Sequence, residues 1–323
     1  MTDCPFFPKC GGCTLLDLSS EEYALKKEKF IRRCFADHGL DNIVLAPLQQ
    51  FPTSIRRRAN FTWTKGKLGY FQQKTHFIQD ISSCLLLTNR LNDFLPVLKK
   101  LLSSLFKQAE VFLLDTAFGI DLVIKANQKE DLTLLETLTD FAQKNQLARL
   151  TYNQTPMFSQ TPSSLTATDF LQPSKEGEEF LQQAVLSALS NQKKGLDLFC
   201  GKGTFTYPLL EKGFHVEGYD ISIPNSAPFH QRDLFRNPLL PTELNAFDFC
   251  IIDPPRAGAL EQTKNLAESQ ISTIIMISCF PATAGRDIHL LTEAGWQLQP
   301  ITPVDQFQFS NHVELFCVLK KAK

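Results

Sequence analysis

The sequence predicts an α/β protein in two parts, an α+β N-terminal region and a C-terminal half built on an open, mostly parallel, nucleotide-type sheet. Three observations predict it. Gly195-Leu-Asp-Leu-Phe-Cys-Gly-Lys-Gly-Thr-Phe205 runs an apolar strand into a glycine turn and then a helical period (Phe205, Leu209, Leu210). Two further apolar runs, Phe247–Ile252 and Ile271–Ile277, stop abruptly at Asp253-Pro-Pro-Arg-Ala-Gly258 and Ser278-Cys-Phe-Pro281, as buried strands of such a sheet do. Charge is divided as well: residues 1–100 hold 15 Lys and Arg against 9 Asp and Glu, a net of +6, and since the whole chain carries −1 the remainder carries −7. A basic front half suits a polyanionic partner. A 43% hydrophobic, 21% charged chain of 323 residues is of globular type, and it is expected to divide into segments 1–90, 91–165 and 166–323. No export leader and no membrane-spanning apolar run is seen, so a cytoplasmic location without membrane contact is expected.

From the N-terminus, Cys4-x5-Cys10-Gly-Gly-Cys13 places three of nine cysteines in ten residues. Without an oxidising compartment this density points to a metal centre. Cys84 is the candidate fourth ligand, and the spacing suits a four-iron–four-sulfur cluster or zinc. Residues 20–38 read as a helix, capped by Ser20, with Tyr23, Leu25, Phe30, Ile31 and Cys34 on its apolar side and Lys26, Lys27, Lys29, Arg32 and Arg33 on its basic side. Arg56-Arg57-Arg58 then feeds a strand in which Ala59, Phe61 and Trp63 alternate with polar residues, and Lys65-Gly-Lys67 turns it into a second strand at Leu68–Gln72. Arginines beside an aromatic hairpin suit RNA phosphates and bases, although a charged hairpin entry is equally ordinary. Helical patterns at Leu91–Phe106 and Glu130–Lys144 and strands at Glu110–Leu114, Ile120–Lys125 and Ala148–Tyr152 make a small α+β subdomain. Residues 153–168, rich in Thr, Ser, Pro and Gln, read as a linker.

In the C-terminal half, Asp169-Phe-Leu-Gln-Pro173 precedes a helix from about Ser174 to Leu189. After the glycine turn, His215–Gly218 is a strand ending at Asp220, where an acid suits a ribose diol, and Asp233 falls where a third strand ends. The dozen residues between those two acids contain two prolines and no helical period, so the usual crossover helix is expected to be short or missing. Asp253 and Cys279 sit at strand tips on one sheet edge, whereas Cys200 and Cys250 read as structural. A final hairpin, about Trp296–Val304 and His312–Leu319, carries Glu314.

In this order the segments Cys-x5-Cys-Gly-Gly-Cys, Arg-Arg-Arg-Ala, Asp-Phe-x-Gln-Pro, Asp-Leu-Phe-Cys-Gly-x-Gly-Thr-Phe, Asp-Pro-Pro-Arg-Ala-Gly, Ser-Cys-x-Pro-Ala-Thr-x-x-Arg-Asp and His-Val-Glu resemble the RNA uracil-C5 methyltransferases that carry an iron–sulfur cluster, in the short form without an N-terminal TRAM domain. The resemblance runs almost end to end and is nearest to enzymes acting on 23S rRNA. It implies a Rossmann-like class I S-adenosylmethionine methyltransferase domain behind an α+β iron–sulfur and RNA-recognition region, in a monomer. It implies that Cys4, Cys10, Cys13 and Cys84 hold a [4Fe-4S] cluster, with zinc as the alternative, that Cys279 is the nucleophile, and that Glu314 is the general base. Gln172, Phe199, Gly201, Gly203, Thr204, Asp220, Asp233 and Asp253 fall at positions around S-adenosylmethionine or the target base, Phe170 at one that stacks on that base, and Arg56, Arg57 and Arg58 on the substrate RNA. The chemistry suits the pair, because a thiolate adding to C6 of uracil makes C5 nucleophilic and a base must then remove the C5 proton. The sequence departs from the family in having Phe280 for Asn, Asp220 for Glu, and a shortened segment after Asp220. Transfer RNA as substrate, and an RNA-binding protein that has lost its activity, are the alternatives.

Overall fold

The computed structural model describes residues 4–163, 165–224 and 226–321; Ser164 of the expected linker and Asn225 of the short segment after Asp220 lie outside them. In chain order the elements are α1 (Ser20–Ala36), β1 (Arg58–Thr64), β2 (Lys67–Phe71), β3 (Ile78–Asp80), α2 (Asn89–Leu105), β4 (Gln108–Thr116), β5 (Gly119–Lys125), α3 (Leu132–Lys144), β6 (Arg149–Tyr152), β7 (Thr155–Ser159), α4 (Lys175–Ala188), β8 (Lys194–Leu198), α5 (Thr206–Glu211), β9 (His215–Asp220), β10 (Phe229–Gln231), α6 (Pro241–Leu244), β11 (Phe249–Ile252), α7 (Leu260–Glu268), β12 (Thr273–Ser278), α8 (Pro281–Glu293), β13 (Trp296–Leu298), β14 (Thr302–Val304) and β15 (Glu314–Lys321). They form two compact units. The first is Met1–Asp17, Pro52–Lys175 and Gln308–Ser310; the second is Leu18–Phe51, Glu176–Phe307 and Asn311–Lys323. This division differs from the three expected segments. β1 pairs with β4 along its whole length, which makes residues 58–159 one sheet, and α1 packs on α8, which takes it into the second unit.

The first unit is a seven-stranded sheet in the order β3-β2-β1-β4-β5-β6-β7. The alternation read from the sequence holds: Ala59, Phe61 and Trp63 are buried against Val111 and Leu113 of β4 and Leu91, Leu95 and Leu98 of α2. Trp63 satisfies its indole N–H on the carbonyl of Phe106, 2.8 Å away. Lys65 and Gly66 both take left-handed conformations (φ 50° and 76°), the turn that matches the twist of a two-residue hairpin. The expected linker is partly ordered. Thr155–Ser159 forms β7, paired antiparallel to β6 through a second tight turn in which Asn153 has φ 52°. Asparagine tolerates that conformation, and the polar composition around it hid the strand.

The second unit is an eight-stranded sheet. Its parallel strands run β10-β9-β8-β11-β12, followed by the antiparallel β15 and β13, with β14 also pairing β15. The sheet is covered on both faces. Leu196, Leu198, Ile252, Ile274 and Met276 face α1, α7 and α8 through Ile31, Phe35, Leu266 and Ile288. Ile251, Ile275, Ile277 and Phe249 face α4 and α5 through Leu181, Val185 and Leu209. Strand order reverses between β8 and β11, the point where open α/β sheets leave a crevice for ligands. No helix joins β9 to β10 among the described residues, as the missing period predicted. Two details differ from the sequence reading. Ser19, not Ser20, caps α1, in a capping box with Glu22, and Leu25 is exposed whereas Lys27 is buried. The strand expected over residues 296–304 is broken into β13 and β14, with Pro300, which has no N–H to give a ladder, in the break.

Gly195 marks how tightly β8 packs, since an added Cβ would lie 2.1 Å from the ring of Phe249. Gly195→Ala is expected to cost about 1–3 kcal/mol of stability by overpacking, read from the denaturant midpoint. An unchanged midpoint would mean that the ring turns aside without cost.

Candidate active site

Four adjacent strands bring four chemical groups to one edge of the second sheet. Asp197 lies in β8, Asp253 just beyond β11, Cys279 just beyond β12 and Glu314 at the start of β15. β12 and β15 pair antiparallel with Ser278 opposite Leu315, so the register carried one residue further sets Cys279 opposite Glu314. On its other side Glu314 pairs with Val304. Asp253 donates its backbone N–H to the carbonyl of Leu198 at 3.2 Å, which ties the tip of β11 to that of β8.

This edge is dry and acidic. Glu314 is 3% exposed, and burial pushes its carboxyl up to about 8. Burial pushes Asp253 well above the ordinary carboxylate range, and the neighbouring Glu314, Asp197 and Asp220 push it further. Asp197 is fully buried and rises to about 7; its Oδ2 accepts a 2.6 Å hydrogen bond from the Thr206 hydroxyl, and its Oδ1 has no partner among the described residues. Cys279 is pushed up to about 12 by burial and then by Glu314 and Asp253, with the Arg256 guanidinium pulling the other way. Burial and mutual repulsion therefore favour the protonated forms of these acids and of the thiol. Sequence reasoning passed over Asp197 and Arg256. The signal for Asp197 was a carboxylate between Leu196 and Leu198, on a strand otherwise apolar.

The glycine turn opens beside these groups. Phe199, Gly201 and Gly203 have φ of 61°, 53° and 88°. A Cβ on Gly203 would strike Phe229 and Tyr207, whereas one on Gly201 would meet nothing within 4 Å, so Gly201 borders open space. The Thr204 carbonyl accepts from the Gln182 amide at 2.9 Å. Asp220 accepts the N–H of Gly201 (3.0 Å) and of Ser222 (2.9 Å), so it fixes the turn while keeping oxygen lone pairs for a diol. Asp233 is engaged in its own turn, accepting from Phe235 and Arg236, and the Phe199 and Phe235 rings lie 5.3 Å apart above the same region. Residues 256–259 are held by α8: Thr283 donates to the Arg256 carbonyl, Arg286 to that of Ala257, and Asp287 accepts the N–H of Ala259. The Arg-Asp pair of that helix thus holds the loop after Asp253. Phe280, where the family has Asn, stacks beneath Arg256 at 5.0 Å.

The remaining expected residues belong to the first unit. Arg57 donates to the Gln172 carbonyl (3.1 Å) and Arg58 to that of Leu171 (2.9 Å), with the Arg58 guanidinium 6.0 Å from the Phe170 ring. The Arg56 guanidinium donates to the Arg58 carbonyl. These arginines therefore order the segment that carries Phe170, itself 63% exposed, and Gln172, which is buried. Cys4, Cys13 and Cys84 share one small core, and Gly12 donates to the Cys10 sulfur at 3.5 Å. Cys13 is pushed up to about 12 by burial and by the charges of Cys84, Cys10 and Cys4. The four thiols therefore neighbour one another. Among the described residues, however, no group of three or more His, Cys, Asp or Glu side chains is arranged to hold a metal ion. An open cleft of about 1590 Å³ in the same unit is lined by Lys65, Lys67, Lys107, Lys125 and Lys129. Phe71 and Phe77 stand exposed on it. No helix among the described residues is long and apolar enough to cross a membrane.

Residues 226–322 match the family model described as tRNA (uracil-5-)-methyltransferase. An uncharacterized RNA methyltransferase of Brucella suis is 33% identical over 359 residues, covering 99% of this chain and 84% of its own. One of Zymomonas mobilis is 35% identical over 352 residues, covering 98% and 88%. Among solved structures, the Pyrococcus abyssi tRNA (uracil-54, C5)-methyltransferase in complex with S-adenosyl-L-homocysteine has the same fold, with a TM-score of 0.75 at 21% identity over 98% of this chain and 86% of that one.

The raised carboxyl of Glu314 has a measurable sign. Its value in the folded protein lies above the ordinary 4.5, so the native state keeps a proton that the unfolded chain loses. Its burial costs nothing below about pH 4.5 and destabilises progressively as pH rises toward about 8. Relative to the wild type, Glu314→Gln is therefore expected to gain stability across that window and none below it, in denaturant unfolding at a series of pH values. A pH-independent difference would show that Glu314 titrates alike in the folded and the unfolded chain.

Proposed function

The chain belongs to the RNA methyltransferases, in the family acting at carbon 5 of uracil, and from that premise we propose that it methylates C5 of one uridine in structured RNA through a bond between Cys279 and C6 of the base. The observation that carries this reading is that Cys279, one residue beyond the β12–β15 ladder, lies near enough to Glu314 and Asp253 for both to act on its thiol. The target uridine leaves its RNA fold, and the Cys279 sulfur bonds to C6 as the thiol proton is lost to water. The electron pair displaced onto C5 and its carbonyl makes C5 a nucleophile. Phe199, Gly201, Gly203, Thr204, Asp220, Asp233 and Asp253 would hold S-adenosylmethionine at the glycine turn, and it would supply an electrophilic methyl. Glu314, once it has released its own proton to water, then removes the C5 proton, the C5–C6 double bond re-forms, and the Cys279 sulfur leaves and regains a proton from water. Burial raises the proton affinity of Glu314, which suits a group that must take a proton from carbon.

For the substrate, the lysine cleft with its exposed Phe71 and Phe77 suits the backbone and splayed bases of folded RNA. We read the RNA as 23S rRNA, because the N-terminal cysteine set is that of the cluster-bearing ribosomal enzymes the sequence resembles, and the protein as a cytoplasmic monomer. Transfer RNA is the alternative carried by the family description and by the name of the archaeal neighbour. Cys4, Cys10, Cys13 and Cys84 would hold the [4Fe-4S] cluster. Neighbouring thiols, with Cys13 pushed up by burial and by the charges of Cys84, Cys10 and Cys4, favour a cationic centre that takes up their charge, the cluster or zinc. The cluster is read as structural, ordering the segment around Cys84.

RNA containing 5-fluorouracil tests the chemistry, because fluorine at C5 cannot leave as a proton. With S-adenosylmethionine the protein is expected to form a covalent adduct stable to denaturing gels, and Cys279→Ala to form none while still binding S-adenosylmethionine. Turnover by Cys279→Ala would remove it as nucleophile. Anaerobically purified protein is expected to contain acid-labile sulfide and iron in equal amounts, and Cys13→Ser to lose most of both. Zinc without sulfide would replace the cluster in this reading.

A further inference from the structure

We propose that Lys27 is a positioning residue for Glu314, an assignment that rests on Glu314 being the base of the reading above. Lys27 rises from α1 and is 2% exposed, as is Asp305, with which it forms an ion pair. Asp305 also accepts a 2.7 Å hydrogen bond from the Tyr23 hydroxyl, one helical turn earlier on α1. An ammonium has three donors and no acceptor. The other two of Lys27 go to backbone carbonyls, that of His312 at 2.8 Å and that of Phe307 at 3.4 Å.

The register shows what this accomplishes. Val304 pairs with Glu314, so Asp305 and His312 stand where the segment between β14 and β15 leaves the sheet and returns to it. Lys27 binds both sides of that mouth, through a side chain on the outgoing strand and a main-chain carbonyl two residues before Glu314. A buried ion pair is a poor stabiliser in itself, since its desolvation offsets its attraction and an apolar pair packs as well. It does hold a defined geometry, and Glu314 needs one to reach a proton on a base already bonded to Cys279. The same helix supports the nucleophile's side. α1 packs on α8, with an added Cβ at Gly285 falling 3.1 Å from the Cys34 carbonyl, and α8 begins two residues after Cys279. One helix therefore carries the tie beside the base and packs on the helix that follows the nucleophile.

The step that reads Glu314 placement is elimination, not methyl transfer. In single-turnover reactions of the full chain with in vitro-transcribed 23S and transfer RNA and methyl-labelled S-adenosylmethionine, label is followed first into the covalent enzyme–RNA complex and then into free RNA. Lys27→Met is expected to form the complex at close to the wild-type rate and to release methylated RNA more slowly, on the order of tenfold or more, the scale on which misplacing a reacting group acts. Lys27→Met alone leaves Asp305 buried without its cation and is expected to melt lower. The double variant Lys27→Met, Asp305→Asn removes both charges and is expected to recover the melting temperature while release stays slow, because nothing ties the His312 carbonyl. Release at the wild-type rate by the double variant would overturn the assignment, leaving Lys27 as charge compensation only. Equal slowing of both steps would overturn it too. A wild-type chain that forms no covalent complex with either RNA would bring down the reading of Cys279 and Glu314, and the assignment of Lys27 with it.

Discussion

Negative charge held away from water is the constraint on which the second unit is organised. Asp197, Asp253 and Glu314 crowd one sheet edge with Cys279, and Arg256 is the cation that pulls the thiol toward ionisation. Three carboxylates in such a place cannot all ionise, so the free protein stores protons there. An edge of this kind favours a ligand arriving with positive charge, as a sulfonium does, and it disfavours the thiolate. The same burial that makes the acids costly makes each of them responsive to what binds beside it.

Much of the surrounding structure serves to hold main chain. The arginines that read as phosphate contacts spend donors on carbonyls of residues 171 and 172, and so shape the segment bearing Phe170 and Gln172. The Arg286–Asp287 pair, read only as part of a family pattern, fixes the turn after Asp253. Asp220 holds Gly201. In each case a charged side chain satisfies backbone groups that an irregular loop leaves without a ladder, which is why such loops keep one shape.

The parallel sheet, its glycine turn and the strand tips were legible because they depend on local pattern: apolar runs of strand length, stopped by proline or glycine. The lack of a helical period after Asp220 was legible too, and no helix joins β9 to β10 among the described residues. What the sequence concealed were features decided by partners far away in the chain. Lys27 looked like one more cation on a basic helix face, and only Asp305, 278 residues later, buries it. β7 was hidden by its polar composition and exists because β6 offers it an edge. The facing of Cys279 and Glu314 is a matter of register between strands, which periodicity along one strand does not contain.

The place of β15 bears on how the chain is made. It lies inside its sheet, paired to β12 on one side and to β13 and β14 on the other, yet it comes from residues 314–321. The sheet of the first unit needs nothing beyond residue 159 and can assemble while synthesis continues. The second sheet stays open at β12 until the last strand emerges, with Ile274, Ile275, Met276 and Ile277 along an unpaired edge. Such an edge is a template for pairing with other chains. Until that strand is made, newly synthesised protein therefore carries an edge open to other chains, and the strand that covers it also carries Glu314.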